Sequence, residues 1–109
     1  MRVIAKKTLV SFYTIHASSR ASLEAWFTEV VDSDWVKPGD VIEVYPSADV
    51  ITGKRFVFNI KGNKYRLVAD IEFKLKLVFI VWIGTPAMYN KINVKEINYV
   101  KNNQNRTGI

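Results

Sequence analysis

Within the stretch Asn59-Ile60-Lys61-Gly62-Asn63-Lys64-Tyr65-Arg66, three cations are interleaved with amides and an aromatic ring. Arg66 can hold two phosphate oxygens in a fork, because its guanidinium is planar and always charged. Lys61 and Lys64 can stabilise a phosphate that is gaining negative charge. Asn59, Asn63 and, farther along, Thr85 supply neutral hydrogen-bonding groups, and Tyr89 supplies a phenol with a face for stacking. Cations mixed with amides and aromatic rings suit a single-stranded RNA backbone and its splayed bases. The competing explanation is plainer: lysine is common on a solvated face beside a turn, and Tyr89 can equally be packing.

The elements that carry these residues read as strands. From Arg55 the apolar period becomes two, with Phe56, Phe58 and Ile60, then Tyr65, Leu67, Ala69, Ile71 and Phe73, alternating with their neighbours. Gly62-Asn63 reads as a two-residue hairpin loop with glycine first. That loop predicts a register: Lys61 opposite Lys64, Ile60 opposite Tyr65, Asn59 opposite Arg66, Phe58 opposite Leu67, Val57 opposite Val68 and Arg55 opposite Asp70. The pleat then puts Phe56, Phe58, Ile60, Tyr65, Leu67 and Ala69 on one apolar face, and Arg55, Asn59, Lys61, Lys64 and Arg66 on the other. A like-charge Lys61–Lys64 pair is unfavourable in a sheet, and a bound anion explains it better than stability does. Arg55 opposite Asp70 reads as an ordinary cross-strand ion pair of small value. The run 77–83 is apolar on both faces and predicts a central strand buried on both sides.

The N-terminal half has helical spacing instead. Thr8 is a candidate N-cap for a helix bearing Leu9, Phe12, Tyr13 and His16. Ala17-Ser18-Ser19 breaks it, and Ser18 or Ser19 can cap a second helix whose stripe is Leu23, Trp26, Phe27, Val30 and Val31. Residues 2–5 predict a short strand, and Pro38 suits the first turn of another helical segment. Residues 89–100 predict an irregular or short helical segment, and 101–109 a frayed tail. This order predicts an α+β fold over residues 1–100, with an N-terminal helical hairpin packed on a small, mainly antiparallel sheet.

A chain of 109 residues fits one domain and can bury a core without staples. It has no cysteine, which excludes disulfides, thiolate nucleophiles and zinc–cysteine sites, and its one histidine, His16, excludes a multi-histidine metal site. No cofactor is expected. His16 lies on an apolar stripe and reads as packing, as do Trp26, Phe27, Trp82 and Trp35, while Asp32 and Asp34 read as solvated or capping groups at a helix end. Residues 1–50 carry five Lys/Arg against seven Asp/Glu, and residues 51–109 eleven against three. So lopsided a chain, with a net charge of +6, predicts a polyanionic partner such as nucleic acid or a membrane surface, the plainer alternative being that the cations simply solubilise a small protein. Basic residues at 2, 6 and 7 interrupt any signal-peptide core and no apolar run spans a bilayer, so a cytoplasmic protein without a membrane partner is expected.

The stretch from Val57 to Val68, Val-Phe-Asn-Ile-Lys-Gly-Asn-Lys-Tyr-Arg-Leu-Val, closely resembles the signature of HigB-type toxins of the RelE superfamily, the toxins of type II toxin–antitoxin systems. Ile83-Gly84-Thr85 followed by Tyr89, Lys91 and Ile92, and the Ala25-Trp26-Phe27 and Asp34-Trp35 regions, extend the resemblance over residues 1–97. It implies a RelE-like α+β endoribonuclease that cleaves mRNA, often on the translating ribosome, and a HigA-like helix-turn-helix antitoxin as partner. By position, Arg66 matches the family's strand arginine, Lys61 and Lys64 stand among its basic residues, and Tyr89 matches the tyrosine after the last core strand. Arg66, Lys64 and Tyr89 are thereby the implied catalytic residues, with Asn59, Lys61, Asn63, Thr85 and Lys91 as substrate contacts and no metal ligand.

The chain also departs from that pattern. Family members usually read Gly-Thr-His with an acidic residue near the tyrosine, whereas here Pro86 stands at the histidine position and Asn90 at the acidic one. Histidine is the natural proton carrier near neutral pH, and its loss implies a rate penalty of about 10²–10⁴. Two readings therefore stay open: a ribonuclease running on Arg, Lys and Tyr, or a catalytically weakened homologue that binds RNA, the ribosome or an antitoxin.

Overall fold

The helical stripe and the alternating run meet as two layers, helices on one side and a sheet on the other. The computed structural model describes residues 1–98; the expected domain end at residue 100 and the tail beyond it lie outside the described residues. Strand β1 (Arg2–Ile4) leads into helix α1 (Lys6–Ile15), and a 3-10 turn at Ala17–Ser19 leads into α2 (Arg20–Val31). The stripe on α2 works as its spacing predicts: Leu23, Trp26 and Val30 are buried, while Val31 at its margin stays 40% exposed. Helix α3 (Pro38–Val44) starts on Pro38, whose fixed φ suits a first turn. The Asp40 carboxylate accepts hydrogen bonds from the backbone N–H groups of Val36 and Lys37 ahead of it.

The expected caps differ. Helix α1 starts before Thr8: Ala5 is its N-cap, and the Thr8 N–H donates to the Ala5 carbonyl inside the first turn. Ser19 does stand at the N-cap of α2, but its hydroxyl donates backward to the His16 carbonyl at 2.7 Å and caps nothing. Ser18 shares a hydrogen bond with the Tyr65 phenol on the sheet. Turn and tertiary partners have claimed both hydroxyls.

The sheet contains β2 (Asp49–Val50), β3 (Arg55–Ile60), β4 (Tyr65–Glu72) and β5 (Leu77–Gly84), in the order β1-β5-β4-β3-β2. Neighbours are antiparallel except β1, which lies parallel to β5. The middle place therefore belongs to β4 rather than to the apolar run of β5. Two-residue β2 was not foreseen, being too short to show a period. The β3–β4 register runs from Ile60 opposite Tyr65 to Arg55 opposite Asp70, as the hairpin loop predicted. Phe56, Phe58, Leu67 and Ile71 are fully buried under Leu9, Leu23, Val30 and Val41, each such side chain contributing about 1.5–3 kcal/mol. His16 stacks on Phe12 with ring centres 4.2 Å apart, and Trp35 is buried edge-on to Tyr45, so both are packing residues.

Strands β4 and β5 slip by one residue along their length. Val68 faces Trp82 but Ala69 faces Ile80, which leaves Val81 as the extra residue of a bulge. A bulge re-aims the residues beyond it. Here it brings Trp82 and Gly84 opposite Val68 and Arg66, onto the sheet face turned away from the helices. That face is partly covered rather than simply solvated: Val57, Val68 and Val81 are buried there beneath Trp82, Tyr89, Val94 and Ile97.

Candidate functional site

Arg66 projects from β4 on this second face, between Asn59 of β3 and Gly84 of β5. Its guanidinium lies 5.0 Å from the centre of the Tyr89 ring, a cation–π contact worth about 0.5–1 kcal/mol at an exposed site. Its Nε is buried and has no hydrogen-bond partner among the described residues, an uncommon state for a buried donor. The residue as a whole is half-buried, so its outer nitrogens are the ones that can meet a ligand.

Tyr89 is placed by α4 (Pro86–Tyr89), the short helix that follows β5. Thr85 caps it, its hydroxyl accepting from the Met88 N–H at 3.2 Å, and Pro86 fills the first turn, where a missing N–H costs nothing. Pro86 thus helps start the helix that ends on Tyr89. The Tyr89 ring leans on Trp82, with centroids 6.1 Å apart and planes inclined at 56°. Gly84 makes room for that indole, because a Cβ there would sit 2.5 Å from its ring carbons. The spacing marked neither Trp82 nor Gly84 as a site residue. The available signal was the run 77–83 itself, whose second apolar side had to be covered by something.

The structure sets Arg66 against Tyr89, with Asn59 opposite it in the ladder and Thr85 capping the helix that carries Tyr89, and it does not gather the remaining candidates around them. Lys61 has left the ladder: with φ of 54° followed by Gly62 at 66°, it turns its ammonium to the Ser18 carbonyl at 3.2 Å, on the helix side. The expected Lys61–Lys64 charge pair on the Arg66 face is corrected accordingly. Lys64 and Asn63 are exposed at the hairpin tip, and Lys91 is exposed two residues past Tyr89. The Asn59 amide donates to the Ser47 carbonyl at 3.2 Å and so ties the chain ahead of β2 to the sheet.

Arg55 is also corrected. Its side chain is 8% exposed and that of its partner Asp70 17%. Nε and Nη2 grip the Asp70 carboxylate at 2.7 and 2.8 Å, and Nη1 donates to the carbonyls of Val94, at 3.0 Å, and Ile97. The hydrogen bond to Asp70 raises this guanidinium above its ordinary value while burial pulls the other way. Losing one partner of such a buried pair costs about 3–5 kcal/mol, unlike a surface ion pair. Elsewhere Asp34 pairs with Lys76 at 2.8 Å, and the lysine's hydrogen bond and charge hold its carboxyl below the usual range.

Among the described residues no group of three or more His, Cys, Asp or Glu side chains converges as a metal site, and no helix is long and apolar enough to cross a membrane. A comparison with curated proteins gave no match. A family model does match: the HigB_toxin model, described as the RelE-like toxic component of a toxin–antitoxin system, aligns with residues 19–92. The matched span includes the helical layer from Ser19 onward, the hairpin with Arg66, and α4 with Tyr89. The chain belongs to this family of RelE-like toxins, whose systems pair each toxin with an antitoxin.

Proposed function

We propose that the chain is a metal-independent endoribonuclease that cleaves mRNA on the translating ribosome and so arrests growth until a HigA-like helix-turn-helix antitoxin binds it. The observation that carries this reading is the half-buried Arg66 guanidinium held 5.0 Å from the centre of the Tyr89 ring, on the helix that Thr85 caps. Cleavage of this kind moves a proton from the ribose 2′-hydroxyl to a base as the 2′-oxygen attacks phosphorus. The P–O5′ bond breaks, and a second proton reaches the leaving 5′-oxygen, giving a 2′,3′-cyclic phosphate and a 5′-hydroxyl. Arg66 serves the phosphate oxygens, whose charge grows at that moment. Lys64 at the hairpin tip and Lys91 past α4 add positive potential along the backbone. Tyr89 offers a stacking face and a phenol for orientation or proton transfer.

Pro86 favours a second reading. The family's histidine position is occupied by the residue that starts α4, so the chain has traded a proton carrier for a rigid helix start. A weakened homologue that still binds RNA, the ribosome or its antitoxin would look like this. Induced expression with and without a neighbouring antitoxin frame separates the two. Growth arrest with transcript cleavage, relieved by Arg66→Ala, supports the ribonuclease. A benign protein that co-purifies with a helix-turn-helix partner supports the weakened homologue.

A further inference from the structure

The two arginines of the β3–β4 hairpin are used in opposite ways. Arg66 has a buried Nε without a partner, whereas Arg55 uses one edge on Asp70 and its remaining nitrogen on two backbone carbonyls. An ion pair alone is a poor reason to bury an arginine, since two apolar residues would fill the same space as well or better. The carbonyls are the better reason. Val94 and Ile97 belong to the segment that follows α4 and packs, with Tyr89, on Val57, Val68 and Val81. Apart from Arg55, the described backbone from Tyr89 to Ile97 is held by short-range bonds: Ile92 N–H to the Tyr89 carbonyl at 3.2 Å, Glu96 and Ile97 N–H to the Asn93 carbonyl at 3.0 and 2.9 Å, and Lys95 N–H to the Asn93 side chain at 3.2 Å.

From this arrangement we infer that Arg55 is a positioning residue for the site: its buried fork fastens the segment after α4 to Asp70 and so holds Tyr89 under the Arg66 guanidinium. The inference deepens the ribonuclease reading where it concerns catalysis, and its structural half stands apart from that reading. Arginine is required, because one planar group must reach a carboxylate and two carbonyls at once. A lysine keeps the charge opposite Asp70 but has a single ammonium and cannot span all three.

The test is Arg55→Lys in the full chain, with Asp70→Asn as a second variant should the first fail to fold. Hydrogen exchange is expected to speed up at the Ile92 and Ile97 amides while β5 amides keep their protection, and the Arg66 Nε–H resonance is expected to lose the upfield shift imposed by the Tyr89 ring. If exchange rises evenly over the whole chain, or the Arg66 resonance stays where it was, the positioning role is overturned and Arg55 is only a structural pair. Cleavage of mRNA on translating ribosomes adds a second readout: about a 10²-fold fall for Arg55→Lys, the scale of a misplaced catalytic group, carried by kcat more than KM. In a Tyr89→Ala background the same substitution is expected to cause no further fall, and a fully multiplicative loss there also overturns the inference. If the wild-type chain cleaves no mRNA on translating ribosomes, the ribonuclease reading fails by itself, and the exchange and resonance measurements still decide the role of Arg55.

Discussion

Arg66 and Tyr89 lie 23 positions apart in the chain, yet the guanidinium rests 5.0 Å from the ring centre. The contact joins the middle of the sheet to the last helix, and it sets the first prediction. Arg66→Lys keeps a positive charge but loses the fork and most of the stacking, so RNA cleavage is expected to fall about 10²–10³-fold. The melting temperature should fall by only a few degrees, the cost of the ring contact, because Nε has no hydrogen-bond partner among the described residues to lose. A lysine variant as active as wild type removes Arg66 from the site.

The lysines of the hairpin tip are expected to behave differently from each other. Lys61 is engaged with the Ser18 carbonyl on the helix side, while Lys64 is exposed. Lys64→Ala should weaken RNA binding and flatten its salt dependence by about one unit of slope. Lys61→Ala should leave both nearly unchanged. Binding titrations at two or more salt concentrations decide this, and equal effects would mean that the Lys61 side chain swings to the Arg66 face.

Gly84→Ala tests the shelf beneath Tyr89. The new methyl would sit 2.5 Å from the Trp82 ring, so either strand or indole must shift, at a cost of about 1–3 kcal/mol. Denaturant unfolding should show that loss, and tryptophan emission should change as Trp82 moves. An unshifted midpoint with unchanged emission contradicts the packing described.

Burial, and after it the hydrogen bond to Glu29, pushes the Tyr45 phenol well above its ordinary value. A raised value in the folded state means that the associated stability is complete below about pH 10. It is then lost as pH climbs toward the folded value. Tyr45→Phe removes that linkage, so above about pH 10 its melting temperature should fall less steeply than that of wild type. Parallel slopes for the two proteins would exclude Tyr45 as a source of alkaline sensitivity.

The layered fold was legible because its signals are periodic. The stripe Leu23, Trp26, Val30 and the alternation Phe56, Phe58, Ile60 each repeat often enough to define a face, and one glycine turn set the hairpin register. Arg66 and Tyr89 were legible as chemistry and, through the family signature, by position. What escaped was single and non-local. The bulge at Val81 adds one residue that no period announces, yet it decides that Trp82 and Gly84 join Arg66. Arg55 looked like any cation opposite an acid, since its carbonyl partners lie at Val94 and Ile97, about 40 residues away in sequence. Ser18 failed as a cap for the same reason, its partner being Tyr65 on the sheet, whereas Ser19 was lost to the carbonyl of His16 only three residues back.

The parallel pairing of β1 on β5 gives this protein a built-in order of events. Arg2 finds its place beside Leu77, and Ile4 beside Phe79, so β1 cannot pair until β5, about 75 positions later, has been made. Synthesis delivers the N-terminus first, and α1 and α2 emerge with their apolar stripes facing a sheet that does not yet exist. Contacts closing loops of such length form late, after shorter-range pairings have prepared them. The Arg66–Tyr89 contact likewise waits for α4, which follows β5 in the chain. A nascent copy therefore cannot assemble the Arg66–Tyr89 surface until both β5 and α4 have been made.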